Sequence, residues 1–437
     1  MRLSSIILSA IEILSLYSKK PQDISNIIRF WSKNNRSAGS KDRHLISNII
    51  YNIFRQYPTL VAVSRSEEWE KLVLFSLLLS KDAFTVEDLY TELEKSKYSR
   101  HLLSFLPSAD YLQHIVLEHD IDDTILANIP SWLKPYFQLS FGSNWVIDAS
   151  ALSHRAPIDI RVNLLKASVV DVKQSLLAAG YELHNTIMIH SIPEALRLPA
   201  EGRLAKKQNL TNTEDFLVGN FEIQDLGSQL ISKMVDVKPN MNILDYCAGA
   251  GGKSLSLAAE MNNQGNIYAY DKYIKRLYPI YERSARASAS IIKPIENISK
   301  LDLLKDSFDK VIVDAPCSGS GTWRRFPDRK YLLTEVELKH TISQQQKILQ
   351  LASQYVRVGG ELCYMTCSLF ICENDDQIEE FCKKNLNFKV MDAKSRFIDK
   401  FGEDAKKYIY FKKYGVSTTP YKTDSDGFYF ASLQRVE

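Results

Sequence analysis

Two cysteines stand where a thiol could do chemistry. Cys317 lies in KVIVDAPCSGSG and Cys367 in GGELCYMTCSLF, each at the end of an apolar, strand-like run. A thiol attacks as its thiolate, and its unperturbed pKa of about 8.5 means that a reactive cysteine needs a positive neighbour. Lys253, Arg324 and Arg325 are the candidates. Upstream, NILDYCAGAGGKS sets a glycine-rich turn between a strand pattern and a helix pattern. Glycines let the backbone approach a ligand, and the N-terminus of the following helix favours a carboxylate or phosphate. AGAGG (Ala248 to Gly252) lacks the GxGxxG spacing of a dinucleotide fingerprint, which disfavours NAD. Asp271 ends the next strand, roughly twenty residues on, where an acid can accept bonds from ribose hydroxyls. Asp302 precedes the strand after that. This pattern fits S-adenosylmethionine, which has a carboxylate, a ribose and an adenine but no pyrophosphate.

Thiols beside such a cofactor suit one problem in particular. C5 of cytosine is a poor nucleophile, but a thiolate added at C6 makes an enamine whose C5 can take a methyl group. A base must then remove the C5 proton so that the thiol can leave. One nucleophile and one base are needed, close together but differently activated. The remaining cysteines read as small hydrophobes, including Cys363, Cys382 and the side chain of Cys247. Cys363, Cys367 and Cys372 fit no common zinc spacing and have no histidine nearby, so no metal is expected. Trp323 suits either core packing or stacking on a base. Arg324 and Arg325 read as a solvated loop pair or as phosphate contacts, and Lys206 and Lys207 as surface charge.

The elements that must position these residues change character along the chain. With 437 residues, 45% hydrophobic and 24% charged, the protein reads as a globular chain of two or three domains. The net charge of +3 permits an RNA partner without arguing for one. Six cysteines, all after residue 246, form no disulfide framework and fit a reducing cytoplasm. MRLSSIILSAIEILSLYSKK has apolar residues at helical spacing interrupted by Glu12, and reads as a buried amphipathic helix rather than a signal peptide. No segment approaches the roughly 20 apolar residues needed to span a bilayer. Residues 1–145 are expected to form an all-helical domain with a linker, with Asp42 capping the helix of DRHLISNIIYNIFRQ. Residues 146–220 read as a small α+β module. From 221 to 437 strands and helices alternate, which implies an α/β, Rossmann-like, doubly wound sheet.

The chain resembles the bacterial RNA cytosine-C5 methyltransferases that modify small-subunit ribosomal RNA and carry a NusB-like helical N-terminal domain. The carriers are FEIQDLGSQL, LDYCAGAGGKS, DAPCSGSGTWRRFPD, YMTCSLFICEN and DGFYFA, with DRHLISNIIYNIFR in the helical half. The resemblance implies that Cys367 is the nucleophile, that Cys317 assists release of the methylated base, and that Asp314 and Lys253 contact the cytosine. It implies that Cys247, Ala248, Gly249, Ala250, Gly251 and Gly252 hold the methionine end of S-adenosylmethionine. Asp271 would hold the ribose and Asp302 the adenine side, with Arg276 assisting. Arg161 and Asn163, of IRVN, match a motif in the family's RNA-facing region. Ala250 replaces a proline common in the family's turn, and Tyr331 a tryptophan common after the PD element. The expected substrate is ribosomal RNA, with transfer RNA as the alternative and a non-enzymatic RNA-binding assembly factor as the reading from another class. A monomer is expected.

Overall fold

The computed structural model describes residues 1–80, 84–108, 110–111, 122–184, 188, 191–199 and 210–437; Lys206 and Lys207 lie outside them. These residues form two compact units. One comprises Met1–His154 with Trp323–Thr334, the other Arg155–Thr322 with Glu335–Glu437.

The first unit is helical, opening with α1 (Leu3–Lys19), α2 (Ile24–Asn34) and α3 (Ser40–Arg55). Ile6, Ile7, Ala10, Ile13, Leu14 and Tyr17 recur at helical spacing on α1 and are all buried. Glu12, the interrupting charge, accepts the indole N–H of Trp31 at 2.8 Å. Asp42 does not cap α3. The helix begins earlier, Gly39 takes the capping position, and the Asp42 carboxylate reaches back to the Gly39 N–H at 2.9 Å.

Trp323–Thr334 departs from the expected domain plan, in which 221–437 was one continuous domain. The segment contributes to the helical unit's core instead. Trp323 is fully buried, with its ring 6.4 Å from that of Phe137, so it packs rather than stacks on a base. Lys330 Nζ donates to the carbonyls of Asn128 (2.6 Å) and Arg55 (3.1 Å), and the Asp328 carboxylate accepts from the Ile24 N–H at 2.8 Å. Tyr331 joins an aromatic group with Phe54 and Tyr57. Arg324 is 1% exposed and its carbonyl accepts from the Arg55 guanidinium, so its expected RNA-phosphate contact finds no surface here. Arg325 is half-buried.

In the second unit, β1 (Ile158–Val162), β2 (Ala195–Leu198) and β3 (Phe221–Ile223) form an antiparallel sheet in the order β2-β1-β3. The module therefore extends past the expected boundary at residue 220. Arg161 and Asn163 do not present an RNA-facing surface, because both are buried in this module. Arg161 Nε donates to Gln224 Oε1 at 2.7 Å, and burial pushes its guanidinium down to about 10. Asn163 Nδ2 donates to the carbonyls of Gly219 (2.9 Å) and Ala287 (2.8 Å), joining the module to the helix Pro279–Arg286 region.

The large sheet is built from β4 (Asn242–Asp245), β5 (Asn266–Tyr270), β6 (Ile292–Ile295), β7 (Phe308–Asp314) and β8 (Val356–Thr366), paired in parallel in the order β6-β5-β4-β7-β8. β9 (Tyr429–Arg435) adds antiparallel to β8. Both faces are covered. Ile243, Ile312, Cys363 and Met365 enter one apolar cluster, while Leu244, Val311, Val313, Leu362 and Tyr364 enter the other. Near-continuous apolar runs are what strands buried on both faces require.

Asn163→Ala leaves two carbonyls without their donor. Unsatisfied buried groups cost roughly 1–3 kcal/mol each, so chemical denaturation should show a loss of about 2–4 kcal/mol. An unchanged midpoint would contradict the structural role assigned to this side chain.

Candidate active site

The strand order reverses between β4 and β7, which pair in parallel, with β5 and β6 to one side and β8 to the other. Ligands in open α/β sheets bind beyond the carboxyl ends of the strands at such a switch point. The loops after β4, β7 and β8 carry Cys247, Cys317 and Cys367 respectively.

After β4 the chain turns through Cys247–Gly251 into the helix Gly252–Glu260. Gly251 has φ +80°, and a Cβ there would lie 2.4 Å from Ile280, so both conformation and space demand glycine. The Asp271 carboxylate accepts from the Gly249 N–H at 3.0 Å and from the Tyr273 N–H at 2.9 Å. Asp271 thus braces the turn and keeps further lone pairs for a ligand. Arg276 pairs with Asp271 at 3.5 Å, and Arg283 donates to the Ala250 carbonyl at 2.8 Å. Asp302 is placed differently from the other expected cofactor residues. It is half-exposed at the end of the short helix Ile298–Asp302, accepts from the Tyr355 hydroxyl at 3.0 Å, and is not among the residues that line the cavity.

That cavity, of about 280 Å³, is bounded by the turn residues Cys247–Ala250, by Gly252, Lys253, Arg276 and Arg283, and by Asp245 and Asp314. Ile223, Gln224 and Ser228 complete its lining. These three belong to FEIQDLGSQL, a motif whose individual roles the sequence left unassigned. Backbone donors, a helix N-terminus, a braced acid and an arginine suit a ligand with a carboxylate and a ribose, so the residues fit S-adenosylmethionine.

Lys253 Nζ lies 2.5 Å from Asp314 Oδ2. Burial alone would lower the Lys253 pKa, but Asp314, Asp245 and the charge of Cys367 outweigh it and hold the ammonium above its ordinary value. Of the three cations that the sequence left open, Lys253 lines this cavity. Asp245 is 1% exposed; burial, with Asp314 adding repulsion, pushes its carboxyl up to about 6, although Ser254 donates to it at 2.7 Å.

The two motif thiols meet, with Cys317 Sγ 3.3 Å from Cys367 Sγ. The hydrogen bond to Cys367, then burial, then the charges of Cys367 and Glu373 push the Cys317 thiol well above its usual range. The loops that carry them are interlocked. Ala315 N donates to the Met365 carbonyl at 2.9 Å, and Gly321 N to the Cys367 carbonyl at 2.9 Å. Gly427 N donates to the Gly321 carbonyl at 2.8 Å, and a Cβ on Gly321 would lie 2.0 Å from the Gly427 carbonyl oxygen. Thus the glycines of DAPCSGSG and DGFYFA serve one close backbone crossing. Cys247 and Cys363 are held protonated chiefly by burial, Cys363 at about 12. Among the described residues, no group of three or more His, Cys, Asp or Glu is placed to hold a metal ion, and no helix is long and apolar enough to cross a membrane.

The Rossmann-like sheet thus carries a glycine turn at its switch point and a braced acid just beyond the next strand. Residues 232–434 match the family described as 16S rRNA methyltransferase RsmB/F. It is similar to a probable ribosomal RNA small subunit methyltransferase B from Synechocystis, with 32% identity over 60% of this chain and 58% of that protein. Ribosomal RNA small subunit methyltransferase B from Shewanella oneidensis is 25% identical over 91% of each chain. A solved methyltransferase homologue from Pyrococcus horikoshii superposes with a TM-score of 0.58 at 25% identity, covering 73% of this chain and all of that one. The match thus spans less than two thirds of the Synechocystis protein's length.

The raised Asp245 pKa means that the folded protein binds this proton more tightly than the unfolded chain. Its stabilising contribution is complete below pH about 3.8 and is lost as pH rises through about 6. Asp245→Asn should therefore gain on the order of 1–3 kcal/mol over the wild type near pH 8, the difference closing below pH about 4. Urea titrations at the two pH values check this; a difference independent of pH would contradict it.

Proposed function

We propose that the protein is an S-adenosylmethionine-dependent RNA methyltransferase acting on C5 of a cytosine in small-subunit ribosomal RNA, in the cytoplasm. The observation that carries this reading is the 3.3 Å approach of Cys317 and Cys367, with Lys253 and Asp314 paired beside a glycine-lined cavity. The names of the Synechocystis and Shewanella relatives support ribosomal RNA as the substrate class.

Cys247–Gly252, Asp271 and Arg276 hold the cofactor in this reading, and the resemblance places Asp302 on its adenine side. Bound there, S-adenosylmethionine supplies an electrophilic methyl group. The target base must leave its stack to reach the pocket. Asp314 and Lys253 hold the ring through its polar edge. Cys367 forms a bond to C6 as the C5=C6 double bond opens, which places the electron pair on C5.

Cys317 is suited to a different moment. While the Cys367 sulfur is free, its hydrogen bond and charge keep the proton on Cys317. Once Cys367 is bonded to carbon, that charge is gone and Cys317 ionises more readily. It can then accept the C5 proton as the S–C6 bond breaks and the double bond is restored. The same sequence of roles follows if transfer RNA is the substrate, so methylation assays on the two purified RNAs decide between them.

Cys367→Ala is expected to abolish methyl transfer to ribosomal RNA in a tritium-incorporation assay, and retained activity would remove it as nucleophile. Cys317→Ala should accumulate a denaturation-resistant protein–RNA adduct on a gel. A Cys317→Ala protein that turns over without such an adduct would reverse the assignment.

A further inference from the structure

The mechanism above uses the two thiols but not the buried group that joins their loops. Glu373 is 0% exposed, and its carboxylate collects four donors. Ser318 N (2.8 Å) and Gln345 Nε2 (3.0 Å) donate to Oε1, while Ser318 Oγ and Ser368 Oγ, each at 2.5 Å, donate to Oε2. Ser318 directly follows Cys317, and Ser368 directly follows Cys367. Gln345, on the helix Glu335–Ser353, also donates to the carbonyl of Pro316, the residue before Cys317, at 2.9 Å. The backbone at Glu373 is anchored separately, its carbonyl accepting the Tyr364 hydroxyl at 2.7 Å. Next to it, the Asn374 side chain accepts from Thr366 Oγ1 at 2.6 Å and donates to the Ser368 carbonyl at 2.9 Å, on either side of Cys367.

We infer that Glu373 is a positioning residue that sets the separation of the two catalytic thiols, by gripping the residue after each of them with one carboxylate. The inference rests on the proposed roles of Cys317 and Cys367 and goes beyond them. Both cysteines lie on loops beyond strand ends, where the sheet ladder no longer fixes the backbone. A displacement of about 1 Å between reacting groups costs on the order of 10²-fold in rate, so the loops need a rigid common reference. A carboxylate can supply it because its two oxygens offer about four acceptor sites. An amide in the same place offers one oxygen and two donors, and therefore cannot satisfy the same four partners.

The test compares wild type with Glu373→Gln in the full chain, by three readings. Calorimetry with S-adenosylmethionine should show unchanged affinity. The kcat for RNA methylation should fall roughly 10²-fold. The rate of Cys317–Cys367 disulfide formation under diamide, a diazene oxidant reduced to its hydrazine as the two thiols lose their protons and electrons, should fall on the order of tenfold by peptide mapping. A merely stabilising Glu373 would lower the melting temperature yet leave the cross-linking rate of the folded protein unchanged. A wild-type cross-linking rate in folded Glu373→Gln overturns the inference whatever its activity. If Glu373→Gln does not fold, Ser368→Ala decides on the same cross-linking reading. Absence of RNA methylation by the wild-type protein would sink the proposed function instead, while the cross-linking rate still reports the geometry.

Discussion

The parallel pairing of β7 with β8 is the constraint on which the site depends. In that register Asp314 lies opposite Met365, so the two strands end together and release their loops at the same level. A thiol a few residues beyond one strand end then falls beside a thiol just beyond the other. Slipping the register by one residue would turn every side chain of β8 to the opposite face and remove Met365 and Cys363 from their apolar cluster. Burial on both faces therefore secures the spacing of the two thiols. The β4 turn completes the arrangement from the other side of the switch point, bringing Lys253 to Asp314.

Charge is distributed so that each ionisable group restrains the next. Lys253 sits among Asp314, Asp245 and Cys367, and its ammonium is held by all three. Cys317 is held protonated by the sulfur that it accompanies. A pair of like groups with divided tasks needs such asymmetry, since two equally activated thiols would compete for the same proton. Burial raises the carboxyls at positions 245 and 373, and the hydrogen bonds of Ser254, Ser318 and Ser368 offset this only in part.

Much of this was legible in the residues. The strand–turn–helix of NILDYCAGAGGKS, the strand-end position of Asp271 and the two thiols follow from period and punctuation alone. The α1 helix did too, despite its resemblance to a signal peptide. What escaped depended on packing between distant segments. Nothing local in WRRFPDRKYLLT distinguishes a solvated basic loop from a segment buried against helices 270 residues earlier in the chain; Lys330 and Arg324 are buried because backbone carbonyls and the Arg55 guanidinium happen to meet them there. The resemblance placed Arg161 and Asn163 in an RNA-facing region, yet their partners are supplied by Gln224, Gly219 and Ala287. Glu373 lay inside a motif already singled out, but its role emerges only when residues 318, 345 and 368 converge on it.

The central claim is that the sulfur of Cys367, rather than that of Cys317, bonds to the pyrimidine. RNA carrying 5-fluorocytidine tests it most directly, because fluorine at C5 cannot leave as a proton and the adduct persists. Digestion and mass spectrometry of the trapped complex should find the nucleotide, methylated at C5, on the peptide that contains Cys367. A nucleotide attached at Cys317, or no attachment with active protein and cofactor present, would contradict the account.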